Sequence, residues 1–208
     1  MAQDDPAAFF ERMYVDAAES GGTVPWDRGG PHPLLEPWAR DLDGAGRRAL
    51  VVGSGPGSDA ELLAARGFDV LAFDFAPSAV ALARERFPDS AVEYLVADLL
   101  DPPQEWTGAF HFVLEILTVQ SLPPAFHAPA TANIARMVAR GGTLLVIATA
   151  NHDAAGPGDG PPWPLTRAEV EAFAAGDIEL VGVEDVREPG VPARWRAEFR
   201  RPSRSDQG

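Results

Sequence analysis

The sequence predicts an α/β protein built on a doubly wound, mostly parallel sheet of seven strands, with an antiparallel hairpin at its C-terminal end. Three observations carry this. Apolar, strand-like runs alternate with helical patterns between Arg48 and Thr149, the rhythm of a parallel sheet covered on both faces. A glycine loop, Gly53-Ser54-Gly55-Pro56-Gly57, joins the first such run to the first helix. The last two runs, Glu179–Glu188 and Ala193–Arg201, have only Pro189-Gly190 and their neighbours between them, so they pair as a hairpin. With 208 residues, 46% of them hydrophobic, the chain can bury a full core. One domain over residues 1–208 is expected, without internal repeats.

The elements follow in order. Pro6–Glu19 reads as a helix with Phe9, Phe10, Met13, Tyr14 and Ala17 on one face. The Gly- and Pro-rich stretch "SGGTVPWDRGGPHPLL" reads as loop, and residues 1–45 together as a helix and lid segment. Strands are expected at Arg48–Val52, Asp69–Phe73, Val92–Ala97, Ala109–Leu114 and Thr143–Thr149. Helices are expected at Ser58–Arg66, with Ser58 and Glu61 as a capping box; at Pro77–Phe87, with proline in its first turn; and at Ala125–Val138, closed by "RGG". Residues 151–164 form a Pro/Gly-rich loop expected over the acceptor side of the site. Thr166 then caps a short helix, with Glu169 completing its capping box. The terminal "PSRSDQG" is expected to fray.

Composition narrows the function. Net charge is −14 and the pI is near 4.6, which weighs against a nucleic acid or an anionic membrane as partner. There is no cysteine, which removes disulfides, thiol nucleophiles and thiolate-bound metals; no metal site is expected. All 17 basic residues are arginine, which removes Schiff-base lysines and the P-loop lysine. No apolar run approaches the roughly 20 residues that span a bilayer. The N-terminus lacks a basic region followed by an apolar block, so a cytoplasmic protein, monomeric or homodimeric, is expected.

In doubly wound sheets, ligands bind beyond the carboxyl ends of the strands. Acids stand there on three successive strands: Asp74, Asp98 and Glu115. Asp74 lies 21 positions after Gly53, the interval at which a carboxylate grips ribose hydroxyls. The loop has the spacing G-x-G-x-G, and Ser58 stands where a dinucleotide fingerprint carries glycine. Asp59 and Glu61 follow in the first helical turn, where a pyrophosphate would want N–H donors and no carboxylates. S-adenosylmethionine (SAM) fits better. It has no phosphate and carries an ammonium and a sulfonium.

The segments "VVGSGPGSD", "AFDFAPSAV" and "VADLL" resemble the successive signatures of class I SAM-dependent methyltransferases, a Rossmann-like fold. "TVPWDRGGPHPLL" and "GDGPPWPLTRAEVEAF" are similar to segments of the thiopurine methyltransferase-like branch, which includes halide and thiol methyltransferases. The resemblance spans roughly Phe9 to Arg200. It implies that Gly53, Ser54, Gly55 and Gly57 shape the methionine pocket, that Asp74 holds the ribose and Phe75 flanks the adenine. It implies further that Asp98 and Leu99 meet the adenine edge and that Trp26 and Tyr14 close over the cofactor. Glu115 stands where the branch often has Asp. Phe10 and Tyr14 replace the usual tryptophans, and His111 and Ser54 also depart from the pattern.

The expected reaction is methyl transfer to a small-molecule nucleophile by in-line displacement, which yields S-adenosylhomocysteine. Sulfur is favoured on the resemblance alone; nitrogen, oxygen and halide stay open. No catalytic residue is evident, and Glu115 and His32 are the candidates. For Glu115 a contact to the SAM ammonium is set against a role as base. Thr118, Gln120 and Trp163 are acceptor-side candidates, each with a loop or core role beside it, and Trp26 has a role as a staple beside its lid role. His127, His152, Trp38, Trp106 and Trp195 are read as capping, surface or core residues. Two other functions compete: an NAD(P)-dependent oxidoreductase on the same sheet, and a non-catalytic SAM-binding regulator.

Overall fold

A computed structural model describes residues 6–152 and 160–203. The expectations for residues 153–159 of the Pro/Gly loop and for the last five residues lie outside it. The chain forms two compact units, Met1–Asp98 and Leu99–Gly208, each described by itself.

In the first unit, three parallel strands lie in the order β3-β2-β1: β1 (Arg48–Val52), β2 (Asp69–Asp74) and β3 (Glu93–Val96). The run Ala49–Val52 and the run Val70–Phe73 are wholly buried, as strands covered on both faces require. Helix α1 (Pro6–Ser20) buries the expected face: Tyr14 is buried, and Phe9, Phe10, Met13 and Ala17 are half-buried. A four-residue helix α2 (Leu35–Trp38) interrupts the expected loop; its Leu35 is buried completely, so an apolar anchor amid prolines is enough to fold one turn. Helices α3 (Ser58–Ala65) and α4 (Pro77–Arg86) follow, with Pro77 at the N-terminus of α4.

The capping box expected at Ser58 and Glu61 does not form. The N-cap of α3 is Gly57 at φ 92°, without a side-chain cap, so Ser58 sits one position too far into the helix to cap it. Glu61 instead accepts the Tyr94 hydroxyl at 2.6 Å and the Ser90 hydroxyl at 2.5 Å. A Cβ on Gly57 would lie 2.6 Å from the Tyr94 hydroxyl, so both space and φ demand glycine here.

In the second unit the order is β4-β5-β8-β7, and β6 pairs with β5. Strand β4 (Phe110–Ile116) is parallel to β5 (Val138–Asn151); β8 (Arg194–Arg200) is antiparallel to both β5 and β7 (Glu179–Val186). The expected hairpin is therefore present. An eighth strand, β6 (Leu165–Thr166), was not foreseen; its two residues offer no periodicity, and the Trp195 indole fixes it by donating to the Leu165 carbonyl at 2.9 Å. Helix α5 (His127–Met137) ends before "RGG". Val138 already pairs with Phe110, and Gly141 at φ 73° carries an irregular excursion before Thr143 rejoins the ladder opposite Phe112.

Helix α6 (Arg167–Glu171) is capped as expected: the Thr166 hydroxyl accepts the Glu169 N–H, and Glu169 accepts the Thr166 N–H. The same carboxylate faces buried His127 at 3.0 Å, whose other ring nitrogen faces the Leu122 carbonyl at 2.9 Å. Thr166→Ala is expected to lower unfolding free energy by about 1 kcal/mol in urea denaturation; no change would mean the box does not hold α6.

Candidate functional site

In the first unit the glycine loop begins where β1 ends. Gly53, Gly55 and Gly57 all have positive φ, at 61°, 49° and 92°. That backbone is open to glycine and strained for other residues. Asp74, the last residue of β2, closes the loop: its carboxylate accepts the Gly55 N–H and the Ala76 N–H, each at 3.0 Å. Burial pushes the Asp74 carboxyl upward in pKa, and these backbone N–H groups pull it down. An ionised carboxylate has about four acceptor positions, so Asp74 keeps capacity for hydroxyl donors after serving the loop. Ser54 is 8% exposed, and its hydroxyl is without a hydrogen-bond partner among the described residues.

Aromatic rings gather at the same place. The Trp26 indole donates to the Tyr14 hydroxyl at 2.7 Å, and the rings are 5.6 Å apart in an edge-on arrangement. Phe10 meets both Trp26 and Phe75 edge-on. A Cβ on Gly55 would lie 3.0 Å from the Tyr14 hydroxyl and 4.0 Å from the Trp26 ring, so these two side chains rest against the loop. The Tyr14 hydroxyl is held far above its usual pKa, first by burial and then by the Asp74 charge. Trp26 thus staples the lid segment to α1 and also reaches the glycine loop.

A cleft of about 40 Å³ runs between the lid residues Trp26, Arg28 and His32 and the loop residues Ser54, Ser58 and Asp59. His32 is buried; its Nδ1 accepts the Leu34 N–H at 3.2 Å, which places the ring proton on Nε2. Asp59 accepts the His32 N–H at 2.7 Å, and burial pushes its carboxyl up to about 6. Sequence reasoning treated Asp59 only as a first-turn acid. Its partner lies 27 residues away, so no local pattern could show the bond. Asp98 is exposed and stands two residues beyond β3.

In the second unit, Glu115 lies within β4, which continues to Ile116, rather than after the strand's end. It is 0% exposed. One carboxylate oxygen accepts the Thr118 N–H at 2.7 Å and the Val119 N–H at 2.9 Å; the other has no partner among the described residues. Burial pushes this carboxyl up to about 7. The turn it caps contains Leu117 at φ 60°, the one positive-φ non-glycine residue among those described and a place of backbone strain. Leu99 is buried, with its carbonyl bound by Asn133.

The acceptor-side candidates in this unit are tied into the loop. Gln120 is buried and exchanges hydrogen bonds with Thr149, and its carbonyl accepts the Trp163 N–H. The Thr118 hydroxyl donates to the Ile116 carbonyl. Trp163 is half-buried against Gly160. His152 lies beside Asp185 and Trp195.

Comparison with known proteins places this geometry. Residues 49–142 match the family model of the methyltransferase domain. Over 108 residues the chain is 38% identical to the ubiquinone biosynthesis O-methyltransferase of Xanthomonas oryzae pv. oryzae, a match that covers 47% of this chain and 45% of that protein. The chain thus spans less than half the length of the curated, bacterial relatives it matches. The structure is similar to the N-methyltransferase NodS of Bradyrhizobium japonicum, solved with S-adenosylhomocysteine: TM-score 0.74 and 18% identity, over 96% of this chain and 100% of that one. It is also similar to a protein that converts a disulfide bond into a thioacetal group during echinomycin biosynthesis: TM-score 0.75 and 21% identity, over 98% and 96%. The chain has the Rossmann-like fold of these methyltransferase structures, mostly parallel with antiparallel strands at its C-terminal end. No described helix is long and apolar enough to cross a membrane.

The buried acids fix a pH dependence. The folded-state pKa of Glu115 is raised, so its contribution to stability is fully present below the unfolded value of 4.5 and is lost as pH rises through about 7. Asp59 and Asp74 act in the same direction. The melting temperature is expected to fall from pH 5 to pH 8, and to fall less for Glu115→Gln. Parallel wild-type and variant curves in calorimetry would contradict this.

Proposed function

We propose that the protein transfers a methyl group from SAM to a small-molecule nucleophile, and that the whole chain serves this as one domain. The observation that carries the reading is the glycine loop closed on the Asp74 carboxylate. The donor set fits the cofactor: Asp74 has acceptor capacity left for ribose hydroxyls, Ser54 brings a buried hydroxyl that lacks a partner, and Phe75 offers an aromatic face. It fits a pyrophosphate poorly, because Asp59 and Asp74 both border the loop and charge repulsion would have to be overcome. We assign Gly53, Ser54, Gly55 and Gly57 to the methionine end, Asp74 to the ribose, and Phe75, Asp98 and Leu99 to the adenine. Tyr14 and Trp26 cover them.

SAM supplies a methyl group on a sulfonium, a leaving group already activated. The chain's residues therefore bind, orient and exclude water. Such alignment supplies on the order of 7–11 kcal/mol in favourable cases, and aromatic faces beside a sulfonium add about 0.5–2 kcal/mol each, by analogy with cation–π pairs. The resemblance to the thiopurine and halide-thiol branch favours a thiol acceptor, whereas the curated relatives are named O-methyltransferases. For Glu115 we assign first the cofactor ammonium. A specific observation supports a second role, as proton acceptor for a hydroxyl or amine: its free oxygen and its pKa of about 7 suit a base near neutral pH. Thr118, Gln120 and Trp163 remain the acceptor-side assignment, and His32 the weaker catalytic one. A small polar or aromatic acceptor handled in the cytoplasm by a monomer or homodimer agrees with the net charge of −14.

Formation of S-adenosylhomocysteine across a panel of thiols, phenols and heteroaromatic amines tests the activity; no product with any acceptor would favour a SAM-binding regulator. Asp74→Ala is expected to weaken SAM binding at least tenfold, and unchanged affinity would overturn the ribose assignment. Trp26→Ala should weaken cofactor binding more than it lowers melting temperature; the reverse order would leave Trp26 a staple. Glu115→Gln separates its two roles: lower affinity for S-adenosylhomocysteine marks the ammonium contact, and a lower rate at unchanged affinity, roughly 10²- to 10⁴-fold, marks the base.

A further inference from the structure

We propose that Asp59 is a positioning residue of the cofactor site, the latch that fixes the lid segment of residues 26–32 against the glycine loop. The proposal rests on reading that loop as the cofactor site. The segment has several ties, among them the Leu35 and Glu36 N–H groups of α2, which donate to the His32 carbonyl. Asp27 pairs with Arg86 of α4, and Trp26 donates to Tyr14; both hold its first half. Its far end is fastened by the bond from the His32 N–H to Asp59 at 2.7 Å. This is a backbone donor to a carboxylate, stronger than a neutral pair, and it crosses from the lid to the first turn of α3.

Three observations make this bond more than packing. It closes the cleft that contains the Ser54 hydroxyl, a buried group that lacks a partner among the described residues. The cleft is lined by Trp26, Arg28, Gly30 and His32 of the segment and by Ser54 and Ser58 of the loop side, so the position of residues 26–32 sets the room beside the loop. And the latch sits in the first turn of α3, whereas Gly29 and Gly30 lie within the segment it holds, Gly29 at φ 69°.

The latch is also linked to protons. The titratable and charged groups that line the cleft with Asp59 are Arg28, His32 and Asp27. Arg28 favours the ionised carboxylate, and Asp27 is neutralised by Arg86. Glu61, on the same helix, is turned to Tyr94 and Ser90. Burial outweighs these and places Asp59 at about 6. The closed lid is what buries Asp59 and raises its carboxyl, so by linkage the lid is held more firmly below about pH 6 than above it.

Trypsin cleavage after the exposed Arg28 reads the lid without any ligand. At pH 7.5, Asp59→Ala is expected to speed that cleavage at least tenfold, while Asp59→Asn, whose side-chain oxygen still accepts the His32 N–H, stays within about threefold of wild type. Affinity for S-adenosylhomocysteine should fall at least tenfold in Asp59→Ala and little in Asp59→Asn. In the wild type, hydrogen-exchange protection of the His32 amide, corrected for intrinsic rate, should drop as pH rises through about 6. Equal cleavage in Asp59→Ala and wild type, or pH-independent protection at His32, overturns the latch. If Asp59→Ala frees Arg28 but wild type does not bind S-adenosylhomocysteine, the latch stands and the cofactor reading falls. If all variants bind it alike and cleave alike, the reverse holds.

Discussion

The first unit depends on one hydrogen bond more than any other: the Gly55 N–H to the Asp74 carboxylate. It joins the turn after β1 to the last residue of β2. It also sets the loop's left-handed backbone at Gly53, Gly55 and Gly57 against a charge that burial makes costly. The cost makes sense where the remaining acceptor positions serve a ligand, and the aromatic rings of Tyr14, Trp26, Phe10 and Phe75 keep water from serving it instead.

The same economy recurs in the second unit. Glu115 caps a strained turn with one oxygen and leaves the other without a partner in a site closed to solvent. Buried polar groups are nearly always satisfied, and Ser54 and Glu115 each keep a buried oxygen without a hydrogen-bond partner among the described residues. Both belong to strand ends or the turns that follow, where ligands of doubly wound sheets bind. Other interior polar groups, Glu61, His127 and Gln120, each have partners.

Much of this was legible in the sequence, because its signals are local. The buried runs of β1, β2 and β4, the proline that opens α4 and the Thr166–Glu169 box follow from periodicity and capping rules that act within a few residues. The loop's glycines and the acid 21 positions on carry the site. What stayed hidden is long-range. Ser58 resembled a cap because Gly57 was read as the loop's last residue rather than the helix's N-cap. Glu115 was placed beyond its strand because an acid in an apolar run looks like an end, whereas here the ladder continues to Ile116. Asp59 meets a donor 27 residues upstream, and β6 exists only because β5 and Trp195 hold it.

The central claim is that this loop, with Asp74 beneath it and acids around it, selects a nucleoside without phosphates. Calorimetric titration of the purified protein with S-adenosylhomocysteine, with NADH and NADPH as controls, tests it most directly. The account predicts micromolar binding of S-adenosylhomocysteine and none of either nicotinamide cofactor. Binding of NADH or NADPH in its place would contradict it, and would show that the carboxylates at the strand ends do not exclude a pyrophosphate.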